Sequence, residues 1–452
     1  MLFSSLEFLG LFLPVTLLIY FLAPRRWRNL VLFLFSLLFY GWGEPVYVFL
    51  MLFTIAADFF LGLLVARTHS RTHLALAVIL NLALLGFFKY YDLLASLVGL
   101  PVLGIPLPVG ISFYTFQALS YVVDVYRGSR AQKSFVDFGT YITMFPQLIA
   151  GPIVRYGDIA DELRERHVSA ARASHGILRF VCGLSKKVLL ANPAGEMWDY
   201  FASLTGRSVA GSWLGLVFFA FQIYFDFSGY SDMALGLGEI LGFHFPENFN
   251  YPYCARSIRD FWHRWHISLS DWFREYVYIP LGGNRRGEGR TLFNMLAVWS
   301  LTGLWHGASV NFLLWGVYYF ALLAAERLFL GKWLARLPRT VGHVYSLFFI
   351  LLGWLIFACT DMGTLSSYFS SLFALSGEPL LLPIDRYELS RNASLLVIMS
   401  VASTPLFSHL WHKKGSSTVG RAILTGLSVF AFLLSVAYLA ASSYNPFLYF
   451  RF

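Results

Sequence analysis

Charge is scarce in this chain. Asp, Glu, Lys and Arg make up 13% of its 452 residues, against roughly 25% in soluble domains. No long polar stretch is left over from which a separate soluble domain could be built. Cysteine is also rare: Cys182, Cys254 and Cys359 are scattered without paired spacing, which excludes a disulfide framework or a thiolate metal site. Basic residues are missing ahead of the first apolar run, and no small-residue cleavage site follows it. The first helix is therefore expected to be retained rather than removed as a signal peptide. Low-complexity tracts and transporter-like internal repeats are absent as well.

What fills the chain instead is hydrophobic sequence, 57% of residues. Charge-free windows recur from end to end: Phe8–Pro24, Asn29–Gly43, Thr72–Phe88, Leu93–Val123, Phe138–Val154, Ser208–Phe225, Thr291–Ala325, Thr340–Thr360, Asn392–His412 and Ala422–Phe450. A spanning helix needs about 17–25 mostly apolar residues, and most of these windows qualify. The chain reads as an all-α polytopic membrane protein, a single integral membrane domain over residues 1–452, with about 11–13 membrane segments including re-entrant or interfacial ones.

The net charge of +9 marks cytoplasmic loops rather than a nucleic-acid surface. Pro24–Asn29, Arg67–His73 and Arg127–Lys133 carry Lys or Arg, while Gly43–Pro45 and Asp92–Ile105 carry none. The alternation places the basic loops inside, with Arg327–Arg339 and Lys413–Arg421, and both termini and Asp361–Arg391 outside. It closes only if Phe138–Val154, interrupted by Pro146, Gly151 and Pro152, is re-entrant. Such broken backbone must be enclosed by protein or line a cavity. Arg155–Arg172, with Ile159 and Leu163 among charges, reads as an interfacial helix. Between Phe243 and Arg290, seven arginines (256, 259, 264, 274, 285, 286 and 290) are interleaved with aromatics. This block reads as cytoplasmic-side helices lying partly in the membrane, ending at the Gly282-Gly283-Asn284 turn.

Three places carry ionisable groups at membrane depth, where they are costly. His306 stands in Leu304-Trp305-His306-Gly307 inside a window without charge. A helix starting near Thr291 reaches His306 in about 15 residues, about 22 Å, short of a hydrocarbon core about 30 Å thick. Gly307 then permits a break. A buried neutral imidazole offers one acceptor nitrogen, as a general base for a hydroxyl requires; the alternative is a histidine hydrogen-bonded for packing. His263 and His266, at i and i+3, fall on one helical face, with no further ligands to complete a metal site. His266 suits either the reaction chamber or a structural role. Asp226 and Asp232 lie in Tyr224–Met233; a proton relay or ion site competes with ion pairing to the arginines of 256–274, the pairing being the simpler reading. Asp58 and Asp124 are weaker cases of the same kind.

Several motifs occur in one order: Leu107–Gln117 (LPVGISFYTFQ), Phe145–Ile153 (FPQLIAGPI), Asp226–Asp232 (DFSGYSD), Arg264–Ser270 (RWHISLS) and Trp305–Ala308 (WHGA). On these the chain resembles the membrane-bound O-acyltransferase family, and within it the bacterial alginate O-acetyltransferases. The likeness is strongest over 1–330 and looser over 331–452. D-alanyl transferases of teichoic acids are similar through Arg264–Ser270, but the segments 111–117 and 147–153 match the acetyltransferase form.

The resemblance implies a fold with a thin central core and a tunnel, a bacterial inner-membrane location, and catalytic roles for His306 and His266. It implies acetyl-CoA as donor substrate and no cofactor or metal. Its phosphates would be drawn by arginines including Arg264 and Arg274, with Trp305 and Asn311 also in the substrate site. Oxyanion donors would come from His266, Asn311 or a backbone N–H near Gly307. The acceptor would be an extracytoplasmic polysaccharide, or a partner protein that passes the acetyl group on. D-alanyl transfer from a carrier protein and non-catalytic transport of donor or polymer are the alternatives.

Overall fold

The computed structural model describes residues 1–406, 408–409, 417–442 and 444–448. Among these the protein is helical throughout, without a strand; a lone antiparallel bridge joins Phe249 and Trp265. Six helices are long and apolar enough to cross a membrane: Tyr47–Thr68, Arg71–Leu97, Val209–Leu241, Val310–Leu334, Arg339–Ala358 and Val419–Ala441. Phe8–Leu22 and Ala393–Ala402 are shorter apolar helices. Large apolar side chains such as Phe49, Phe60, Ile423 and Phe430 are exposed along these helices. Water does not tolerate so much outward apolar surface, whereas lipid does. The chain is a multi-pass, all-α membrane protein. Lys413 and Lys414, part of the Lys413–Arg421 loop used for orientation, lie outside the described residues, as does His412 at the end of one charge-free window.

The residues group into two compact units, one of Met1–Leu184 with Tyr230–Glu247, the other of Ser185–Gly229 with Asn248–Phe452. The helix Val209–Leu241 contributes to both. In the first unit, local sequence sets the helix ends. Ser70 and Ser134 cap Arg71–Leu97 and Phe135–Thr143, accepting from the N–H groups of Thr72 and Asp137 at 3.2 Å each, which satisfies amides a helix start leaves open. Asn29 binds this unit together, donating to Asp137 at 2.6 Å and to the Leu163 carbonyl at 2.7 Å while accepting from Arg166 at 2.6 Å.

The broken segment 138–154 forms the end of one helix, a four-residue helix Phe145–Leu148 and a turn, and every residue in it is buried. Irregular backbone is thus enclosed by protein, as its place in an apolar window demands. Gly110 starts Ile111–Tyr126 in the left-handed region, and a side chain there would run into the Leu148 carbonyl. The interfacial helix expected over Arg155–Arg172 is shorter: Tyr156–Arg164 buries Tyr156, Ile159 and Leu163 on one face, 165–169 is not helical, and Ala170 starts a new helix. Asp58 is buried and accepts from Asn81 at 2.7 Å. Asp124 lies 3.8 Å from Arg127.

In the second unit the dominant feature is a hairpin of Glu288–His306 and Val310–Ala325. Gly303 and Gly316 let the helices meet at backbone distance: a Cβ on Gly303 would strike the Phe312 carbonyl, and one on Gly316 the Trp299 carbonyl. Small residues are how membrane helices pack closely when no hydrophobic drive separates partner from lipid. At the open end, Arg327 pairs with Glu288 at 2.6 Å. The segment 361–391 is itself ordered into Met362–Leu372 and Pro383–Arg391, with Asp385 accepting from Ser208 at 2.5 Å.

Candidate active site

His306 is the last residue of its helix, Gly307 is extended, and the next helix begins at Val310. The expected helix–turn–helix at His306 is present. Its first helix, however, starts three residues earlier than the charge pattern suggests. Gly287, in a backbone conformation reserved for glycine, begins it at Glu288, and Arg290 is absorbed into its first turn. Nineteen residues rise about 28 Å, close to a full hydrocarbon core, so length does not set the depth of His306.

Burial defines its surroundings instead. His306 is 7% exposed and boxed by ring edges, with centroids 4.9 Å from Trp305, 5.0 Å from Trp315 and 5.1 Å from Phe357. It lines a small cavity of about 20 Å³ with Ile223, Asp226, Phe227, Trp265, Trp315, Trp354, Phe357 and Leu448. The ring does not face lipid. Trp354 is held by donating to the Tyr253 hydroxyl at 3.1 Å, and Tyr253 donates to the Ala220 carbonyl at 2.5 Å.

His266 is 1% exposed and joins this region through Trp305, whose ring centre lies 5.9 Å from the His266 ring. Phe227 meets the His266 ring edge-on at 4.7 Å. The pairing of His263 with His266 on one helical face does not occur. One short helix, Ile258–Trp262, ends before His263, and His266 itself takes a left-handed conformation with φ 45° ahead of Ile267–Phe273. The break turns His263 to the exterior and His266 inward.

Asn248 fixes the protonation of His266. Its Oδ1 accepts from the Ser268 backbone N–H at 3.3 Å and hydroxyl at 2.9 Å, and lies 3.0 Å from His266 Nδ1. An atom that accepts from a backbone amide is an oxygen, so Nδ1 must be the protonated nitrogen. Nε2 is then a bare acceptor, buried and without a hydrogen-bond partner among the described residues. Burial pushes the ring's pKa down to about 3, since desolvation penalises the imidazolium. A neutral ring in this tautomer has no N–H left to offer an oxyanion.

Asp226 does not pair with the arginines of 256–274. It pairs at 2.8 Å with Lys187, and both side chains are buried; Asp232 pairs with Arg179 at 3.2 Å. The carboxylates find the cations nearest in the folded packing, from helices that sequence order does not place beside them. Lys187 also donates to Asn192 at 2.8 Å and to the Pro446 carbonyl, and the Leu448 N–H donates to Asp226 at 2.9 Å. Asn248, Lys187 and Leu448 are site residues that sequence reasoning missed. Only Lys187, a cation beside an apolar run, carried a signal.

Among the other expected site residues, Trp305 is buried against both histidines. Asn311 is fully buried, but its amide N–H groups go to the Ile356 and Phe357 carbonyls at 3.1 and 3.4 Å, and its oxygen accepts from Ser309. It braces the hairpin against Arg339–Ala358. Arg264 is committed to Asp260 at 2.7 Å and the Asn250 carbonyl at 3.2 Å. Arg274 lines an open groove of about 500 Å³ with Arg285, Arg286 and Asn284. No carboxylate pairs with these three arginines among the described residues, unlike Arg264. Asn294 donates to the Gly283 carbonyl at 2.9 Å, holding the groove's turn 12 residues, about 18 Å, below His306 along the helix. No group of three or more His, Cys, Asp or Glu side chains suited to a metal occurs among the described residues.

Comparison with known proteins bears on this arrangement. The profile of the membrane-bound O-acyltransferase family (MBOAT) matches residues 119–360, a span holding both histidines and the arginine groove. The probable alginate O-acetylase AlgI of Pseudomonas putida is 35% identical, with both chains covered completely. The peptidoglycan O-acetyltransferase of Helicobacter pylori is 32% identical over 87% of this chain and 82% of its own. The teichoic acid D-alanyltransferase of Bacillus subtilis is 28% identical over 55% of this chain and 68% of its own.

Proposed function

Because the chain belongs to the membrane-bound O-acyltransferase family, and is therefore an O-acyltransferase of the membrane, we propose that it moves an acetyl group from cytoplasmic acetyl-CoA to an extracytoplasmic polysaccharide, with His306 as general base. The observation that carries this reading is the buried imidazole at the helix break, lining an apolar cavity and linked through Trp305 to a second buried histidine. Relatives named for O-acetylation match 83% or more of the chain, whereas the D-alanyl transferases match 55% and 47%, which favours acetyl over D-alanyl.

The steps follow from the groups present. Arg274, Arg285 and Arg286 take the donor's phosphates in the open groove, guanidinium forks being suited to that geometry. The pantetheine arm extends toward His306. His306 accepts the proton of an acceptor hydroxyl as its oxygen forms the new bond to the acetyl carbonyl carbon. The C–S bond then breaks, and the proton on His306 passes to the departing thiolate. The oxyanion formed on the way needs donors in a dry site. His266 and Asn311 have their N–H groups committed, which leaves the backbone N–H groups at Gly307 and Ala308. His266 Nε2, an acceptor only, takes a hydrogen bond from a second hydroxyl of the acceptor, since the reacting hydroxyl has one proton and gives it to His306. The acceptor is the sugar itself or a partner protein that hands the acetyl on. The protein works in the bacterial inner membrane with both termini outside, as the basic-loop pattern favours.

The test is purified protein with labelled acetyl-CoA and a glycan acceptor, wild type against His306→Ala. Loss of a general base removes about 10²–10⁴-fold of rate, with an unchanged elution profile in detergent. Undiminished CoA release and label transfer by His306→Ala would overturn the assignment.

A further inference from the structure

We infer that Leu448, held by the buried Lys187–Asp226 pair, is the residue that limits the transferred acyl group to two carbons. The inference rests on the acyl-transfer reading above and adds what sets the size of the acyl group.

Residues 444–448 are held at two points of their backbone by the buried pair. Lys187 donates to the Pro446 carbonyl, and Asp226 accepts the Leu448 N–H at 2.9 Å. The two clamping side chains are themselves paired at 2.8 Å and buried. Lys187 has a further fixed contact, to Asn192 at 2.8 Å, and Asn192 in turn donates to the Tyr444 carbonyl at 3.2 Å. Buried charges joined by several hydrogen bonds hold one geometry, because each alternative leaves a charge uncompensated. Leu448 is thereby placed as a wall of the His306 cavity.

The cavity is nearly all apolar, its walls including Trp265, Trp315, Trp354, Phe357 and Leu448. Apolar but for His306 and Asp226, such a lining suits an acyl methyl group. Its volume of about 20 Å³ is room for about one water-sized group, and a methyl is of that size. Four of those walls are aromatic rings packed against one another, with Trp265 on Trp354, Trp315 on Phe357 and Trp354 on Phe357 at 4.7–5.8 Å. Leu448 and Ile223 are the aliphatic walls, which can be shortened without dismantling that cluster, and of the two Leu448 is the one held by the Lys187–Asp226 pair.

The experiment compares acetyl-, propionyl- and butyryl-CoA with purified wild type, Leu448→Ala and Leu448→Val, each checked for folding by thermal melting in detergent. One methylene in an apolar pocket discriminates by roughly 10–200-fold. Wild type should therefore prefer acetyl over propionyl in that range. Leu448→Ala should narrow the ratio of kcat/KM by at least about tenfold, with Leu448→Val between them and serving alone if the alanine variant does not fold. Equal use of all three donors by wild type, or an unchanged ratio in a folded Leu448 variant, overturns the inference while leaving His306 catalysis standing. If no CoA thioester is consumed, the same series as S-acyl pantetheines separates a wrong carrier from a wrong acyl reading. Failure of every thioester removes both.

Discussion

Asn248 Oδ1 accepts the Nδ1 proton of His266 at 3.0 Å, and this contact sets which nitrogen of a fully buried ring is basic. Asn248→Ala would strand the His266 N–H and the Ser268 donors, each costing about 1–3 kcal/mol when buried and unmade. The melting temperature in detergent should fall, and acetyl transfer with it. Asn248→Asp keeps the acceptor and adds a charge, so it should favour the imidazolium and shift the acid limb of the pH–rate profile to higher pH.

His266 also predicts how stability responds to acid. Burial lowers its pKa to about 3 from the ordinary histidine value of 6.5. Between those values the unfolded chain binds a proton that the folded ring refuses. Stability therefore rises with pH across that window and is lost as pH falls below about 6.5. The total at stake is of the order of a few kcal/mol. Thermal melts of wild type and His266→Gln at pH 7 and pH 4 should show the smaller acid loss in the variant. Parallel curves would contradict this.

The Lys187–Asp226 pair is expected to be asymmetric in its tolerance. Lys187→Met leaves a buried carboxylate without its cation, a change that typically costs about 3–5 kcal/mol. The double variant Lys187→Met with Asp226→Leu removes both charges and should recover most of that loss in a melting experiment. Equal destabilisation by single and double variants would argue that packing, not charge, governs the site.

The arginine groove should act on donor binding alone. Hydrogen bonds to charged groups contribute about 1.5–3 kcal/mol, so Arg285→Ala with Arg286→Ala should raise KM for acetyl-CoA by about tenfold or more, with kcat little changed. The salt dependence of KM should weaken in the variant. Arg264→Ala, by contrast, breaks a pair with Asp260 and should leave KM for the donor close to wild type.

Local patterns were legible wherever one residue type decides the outcome. Gly307 marked the break after His306, Pro146, Gly151 and Pro152 marked the irregular backbone within 138–154, and Ile159 with Leu163 gave the buried face of Tyr156–Arg164. Spacing misled where a turn interrupts it. His263 and His266 suit one helical face by number, yet the left-handed backbone at His266 parts them. The start of the His306 helix was misplaced because Glu288 and Arg290 look like loop residues. Their charges are accommodated at an exposed helix end, where Arg327 meets Glu288.

Composition and window length settled by themselves that this chain lives in lipid as packed helices, because the bilayer admits few other solutions for the backbone. Ordered motifs likewise pointed to the family and to two histidines. The partners of those groups were decided only in three dimensions. Lys187 reaches Asp226, Asn248 reaches His266 and Leu448 reaches the cavity of His306 across 39, 18 and 142 residues of chain. Pairings over such separations depend on which helices lie side by side, and helical periodicity carries information about a residue's own face, not about the neighbour that will cover it.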